Sequence, residues 1–127
     1  MPVNVLALRV FGPILILTGI AGFVLPAELA LMSGAPAYNW FHIGFGVLGT
    51  VLALGAGDRA CRGFNVGFGV IDLYQAIASP CGWWPAAWFQ WTTADDVAHW
   101  ILGLALVGIG LLARPRDGDV AAGSPVA

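Results

Sequence analysis

Apolar residues fall in four long runs along the chain, each closed by a proline or by charged residues, with no alternating stretch between them. The first extends from about Val5 to Leu25 and stops at Pro26 and Glu28. The second starts at Asn39 and continues to about Gly57, where Asp58 and Arg59 end it. The third begins near Arg62 and closes at Ser79-Pro80, because a proline lacks the N–H and the shape to continue a helix cleanly. The fourth starts at Asp96, a good N-cap residue, and runs to Ala113 ahead of Arg114-Pro115-Arg116. At about 1.5 Å per residue each run is matched to the roughly 30 Å of bilayer hydrocarbon, where only helices and closed barrels satisfy their backbone. The pattern predicts an all-α membrane protein whose four transmembrane helices, over 5–25, 39–57, 62–79 and 96–113, form one bundle within 1–116.

Composition agrees, with 59% hydrophobic and only 9% charged residues against the quarter or so that is usual for soluble domains. Five arginines stand against seven acids and there is no lysine, so no basic patch suits nucleic acid. The arginines are grouped: Arg9, then Arg59 and Arg62, then Arg114 and Arg116. By the positive-inside rule both termini and the turn at Asp58 to Cys61 are cytoplasmic, while the loops holding Glu28 and the tryptophans face outward. Met1 to Arg9 leads into a long apolar run and reads as a retained first helix, not a cleaved signal peptide. The Gly-, Ala- and acid-rich stretch 117–127 reads as a disordered cytoplasmic tail. Cys61 and Cys81 fall on opposite sides of the membrane and cannot pair within one chain.

The second and fourth helices open alike: Asn39-Trp40-Phe41-His42 with Gly46 one turn on, and Asp96-Val97-Ala98-His99 with Gly103 at the same offset. Arg9-Val10-Phe11 and Arg62-Gly63-Phe64 form a fainter echo. The chain therefore reads as two tandem helical hairpins, a parallel duplication with its axis along the membrane normal. Paired hairpins opening with N-x-x-H or D-N-x-x-H before a glycine resemble the DUF4383 family of small four-helix bacterial membrane proteins, over nearly the whole chain. Tyr38-Asn39 and Asp95-Asp96 each depart by one residue from the family's Asp-Asn. The resemblance implies a bacterial inner-membrane protein and a fold; the family's function is unknown, so it implies no chemistry.

The candidate site residues are few. His42 and His99, below the caps Asn39 and Asp96, either pin the outer ends of the helices by hydrogen bonds or face each other and hold a haem or chlorin pigment, with Gly46, Gly49 and Gly103 giving it room. No metal-ligand spacing is present. Asp72 lies mid-span, where an ionised carboxylate costs on the order of 3 kcal/mol, so it must face the interior or carry its proton. Its expected role is a hydrogen bond between helices, with Asn65, Gln75, Tyr74, Thr18 and Thr50 as candidate partners; the alternative is a relay for an ion or solute. Gly19-x-x-Gly22, Gly46-x-x-Gly49, Gly67-x-Gly69 and Gly103 with Gly110 suit close helix packing in lipid. Trp83, Trp84, Trp88 and Trp91 read as a membrane-interface loop or a docking surface.

No catalytic pattern is present, and little chain lies outside the spans. The expected function is a non-enzymatic accessory or assembly subunit packing against larger membrane partners or itself. A haem- or pigment-binding module through His42 and His99, or a small ion or solute transporter through Asp72, are the alternatives.

Overall fold

Four long helices and one short one appear in the computed structural model, which describes residues 1–113. The expected tail at 117–127, with Arg114 and Arg116, lies outside the described residues. Helix α1 spans Val3–Val24, α2 Pro36–Gly55, α3 Asp58–Cys81, α4 Ala86–Phe89 and α5 Thr93–Leu112, with a 3-10 turn at Ala27–Leu29; no strand occurs among the described residues. Three of them, α1, α2 and α5, are long and apolar enough to cross a membrane. The fourth long helix, α3, is more polar because it carries Arg59, Arg62, Asn65, Asp72 and Gln75, of which the last three are buried against its neighbours.

The ends of the helices differ from the expected ones for local reasons. α2 begins at Pro36, not Asn39, because a proline at the first helical position has its φ pre-set and needs no N–H partner. Asn39 is therefore inside the first turn, where its Nδ2 donates to Gly34 O at 2.9 Å. α5 begins at Thr93, not Asp96: Thr92 is the N-cap, its hydroxyl accepts from Asp95 N, and the Asp95 carboxylate accepts from Thr92 N. Asp96 stands one position past this capping box and does not cap. α3 starts four residues before Arg62, at Asp58. It also passes through Pro80, which falls in the last turn, and stops at Gly82, whose φ of 68° lets it adopt the left-handed conformation. Trp83 N then closes the end on Ala78 O at 3.0 Å.

α1 packs antiparallel on α2, and α3 antiparallel on α5, through glycines that leave no room for a side chain. A Cβ on Gly12 would lie 2.5 Å from Thr50 Oγ1 and 2.9 Å from Thr50 N, and one on Gly46 would lie 2.8 Å from Gly12 O. In the second pair a Cβ on Gly69 would lie 3.0 Å from Val107 N and from Gly103 O. Gly67, expected on the same small face, opens instead on free space. The pairs meet through Phe68, which meets Phe11 edge-on at 5.6 Å and is stacked by Phe64 of its own helix at 5.5 Å; Leu15 and Leu106 complete this core. Outside it the helices are apolar, with Leu17, Val51, Leu54, Ile101 and Leu104 all exposed.

At one end of the helices, arginine and asparagine side chains satisfy carbonyls left over in last turns. Arg9 Nε donates to Ala53 O at 3.1 Å and Arg62 Nε to Gly110 O at 2.6 Å. Asn4, with no solvent exposure, donates to Ala113 O at 2.6 Å and takes a bond on its own carbonyl from Asn65 Nδ2 at 3.1 Å. A positive charge at a helix C-terminus is also favoured by the helix dipole. Cys61 and Cys81, both free, lie at opposite ends of α3; Cys61 is buried, with Sγ 3.6 Å from Leu52 O, and Cys81 is exposed.

Candidate functional site

The first turns of α2 and α5 lie side by side at the other end. There Asp95, fully buried, accepts from Tyr38 OH at 2.7 Å, Ser33 N at 2.8 Å and Thr92 N at 2.9 Å. Thr92 Oγ1 adds a fourth contact at 3.0 Å, so donors on three segments engage one carboxylate, which fixes the α1–α2 connection and α2 against α5. Ser33 Oγ adds a bond to Phe89 O at 2.5 Å, so the segment around α4 is held by the same node.

One turn deeper, His42 and His99 open on a single cavity of about 50 Å³ with Asp72, Tyr38, Thr18 and Met32. Helical spacing explains the convergence. His42 follows Tyr38 by one turn and His99 follows Asp95 by one turn, so fixing Tyr38 on Asp95 brings the two imidazoles to one space. His42 Nδ1 lies 2.8 Å from Tyr38 O, and since a carbonyl only accepts, that nitrogen carries the hydrogen and Nε2 keeps its lone pair. His99 Nδ1 has no hydrogen-bond partner, and Trp91 meets the His99 ring edge-on at 5.9 Å.

Asp72 does not form the expected bond between helices. It is 3% exposed, and its Oδ2 has no partner. The residues expected to meet it are used elsewhere. Thr18 Oγ1 donates to Ile14 O and Thr50 Oγ1 to Gly46 O, both at 2.8 Å within their own helices. Asn65 is bonded to Asn4, and Tyr74 donates to Trp84 O at 2.7 Å. Gln75, one turn along α3, is also buried with Oε1 unpartnered.

A haem or chlorin does not fit between the histidines. The cavity is far smaller than the roughly 300 Å³ at which ligand pockets begin. The glycines expected to make room are filled by neighbouring helices: a Cβ on Gly103 would lie 2.9 Å from Leu73 Cγ, and one on Gly49 2.9 Å from Leu8 Cδ1. Among the described residues no three His, Cys, Asp or Glu side chains are grouped to hold a metal ion.

Trp83, Trp84 and Trp88 are 51%, 76% and 68% exposed, on and beside α4, whereas Trp91 turns inward to His99 and Phe89 and leaves that surface. Sequence reasoning missed Tyr38, Ser33, Met32 and Asp95. Of these only Asp95 had a local signal, the spacing Thr92-x-x-Asp95 of a capping box. Comparison with family models, curated proteins and solved structures finds no match to this chain.

Proposed function

We propose that this chain is an integral protein of a bacterial inner membrane that crosses the bilayer four times, with its N-terminus cytoplasmic, and acts as a non-catalytic accessory or assembly subunit of a larger membrane complex. For the fourth crossing, α3 has 24 residues, about 36 Å at the helical rise, which is enough for the hydrocarbon layer. Its polar side chains Asn65, Asp72 and Gln75 face protein, not the lipid. Arg9 and Arg62 lie together at one end, as a shared cytoplasmic side requires. Support for a parallel duplication comes from the glycine crossings: one spacing separates Gly12 from Gly69, Gly46 from Gly103 and Thr50 from Val107, three residues that meet in each pair of helices.

The observation that carries the accessory role is the exposed trio Trp83, Trp84 and Trp88. Large amphipathic rings held on a short ordered segment are suited to a partner's surface at headgroup depth, and tryptophan is the residue most enriched in binding hot spots. Purification from native membranes in a mild detergent tests it. The expected result is a larger complex in stoichiometric yield, lost in a Trp83→Ala, Trp84→Ala, Trp88→Ala triple variant that still folds. A wild-type protein that elutes alone as a monomer contradicts the reading.

Asp72 favours a second reading, a small ion or solute transporter, because a buried carboxylate without a partner serves no packing purpose. That reading expects a flux in proteoliposomes that Asp72→Asn removes.

A further inference from the structure

We infer that the cavity between His42, His99 and Asp72 is a binding site for one small monovalent cation that donates hydrogen bonds, ammonium or a proton carried on water, and that Met32 closes its entrance from the outer face. The inference deepens the reading of Asp72 as an ion site and rests on it.

The chemistry of the lining selects the ligand. Asp72 and His99 are more than nine-tenths buried, and each presents a polar atom with no partner, Oδ2 and Nδ1. His42 adds the lone pair on Nε2, since its Nδ1 is committed to Tyr38 O. The unmet groups can all accept, and among the described residues no arginine lines the space, Arg9 and Arg62 being bonded at the far end. The titratable groups facing the space are Tyr38 and His42 from α2, Asp72 from α3, and His99 with Asp95 behind it from α5; α1 contributes only Thr18 and apolar side chains. Asp95 is already engaged by its donors, so Asp72 is the carboxyl of the lining without a partner. Ionised, that carboxylate among acceptors in a low-dielectric interior calls for one positive ligand rich in donors; protonated, it holds the proton itself. About 50 Å³ admits something of water size, for which roughly 10–15 Å³ is sufficient, and excludes a larger organic amine.

Two neighbouring clefts adjoin the site through shared lining residues. An outer cleft of about 500 Å³, bordered by Gly34, Gln90 and Thr92, shares Met32 and Ser33 with a second cleft of about 230 Å³ beside Ala21 and Gly22. That second cleft shares Met32 and Thr18 with the buried cavity. Met32 borders all three spaces and is the flexible side chain between them.

The test uses the two histidines of the full chain as reporters. Ring-nitrogen signals of histidine-labelled protein in detergent are followed while ammonium chloride is added at fixed pH, with sodium chloride as control, and then while pH is varied without ammonium. Saturable movement of both signals with ammonium and not sodium identifies ammonium; movement only with pH, abolished in Asp72→Asn, identifies the proton; either supports the site. In Asp72→Asn, checked for folding by its elution and unfolding midpoint, ammonium affinity falls at least about a hundredfold, as truncating a buried charged partner does. Met32→Ala speeds exchange of the bound ion and Met32→Trp slows it, each by about tenfold or more, equivalent to a barrier change of about 1.4 kcal/mol. Signals that ignore both ions and pH, that follow sodium and ammonium alike, or that move only with pH and move equally in Asp72→Asn overturn the site, and unchanged exchange in both Met32 variants overturns the gate. Flux in phosphatidylcholine–phosphatidylglycerol vesicles is scored separately: binding without flux keeps the site and removes the transporter reading.

Discussion

Tyr38 donates a 2.7 Å hydrogen bond to a carboxylate oxygen of Asp95, and neither residue has any solvent exposure. This contact ties the first turn of α2 to the first turn of α5, and through the helical repeat it sets where His42 and His99 point. Removing the phenol oxygen in Tyr38→Phe should lower stability by about 1–2 kcal/mol. Asp95→Ala strands Tyr38 OH, Ser33 N and Thr92 N together and should cost about 3 kcal/mol or more. Unfolding midpoints in mixed micelles give the order wild type, Tyr38→Phe, Asp95→Ala; equal midpoints would show that the node carries no weight.

Glycine positions separate cleanly by what surrounds them. Gly46→Ala forces a Cβ to 2.7 Å from Ile16 N and should destabilise by about 1–3 kcal/mol, since backbone must move. Gly67→Ala meets open space and should be neutral or stabilising by up to about 1 kcal/mol through helix propensity. The same micelle titration checks both, and an equal response would deny that the crossing at Gly46 is as close as described.

Arg62 and Asn4 cap the end of α5 from two different helices. Arg62→Ala or Asn4→Ala should speed amide exchange over residues 109–113, the last turn of α5 and its C-cap, by about tenfold, the effect of losing about 1.4 kcal/mol of local stability, while the end of α2 held by Arg9 is unchanged. Mass-resolved hydrogen exchange reads this directly, and protection retained at residues 109–113 would rule the caps out.

Much of the helical layout was legible because long apolar runs admit few other structures, and Gly46, Gly69 and Gly103 marked close crossings, whereas Gly12 was not singled out and Gly67 meets open space. The helix ends were less so. Asp95 and Asp96 are adjacent acids of similar N-terminal propensity, and the choice between them is made by Tyr38 and Ser33, which sit far away in sequence. Pro80 suggested an earlier stop for α3 because the rule it follows applies to helix interiors, and it lies in the last turn. The convergence of His42 and His99 could be guessed from their matching offsets. The failure of Thr18 and Thr50 to reach Asp72 could not, because each hydroxyl turns back to its own helix. Met32 lies in a connection with no motif, and only its position between three spaces gives it meaning.

The central claim is that α3 crosses the membrane although it is less apolar than α1, α2 and α5, and Cys81 tests it most directly. The thiol is exposed at the far end of α3 from the buried Cys61, and these are the chain's two cysteines. A membrane-impermeant maleimide applied to intact cells with a permeabilised outer layer should label the wild type and not Cys81→Ser. If Cys81 is labelled only after the membrane is broken, the account of four crossings from a cytoplasmic N-terminus is wrong.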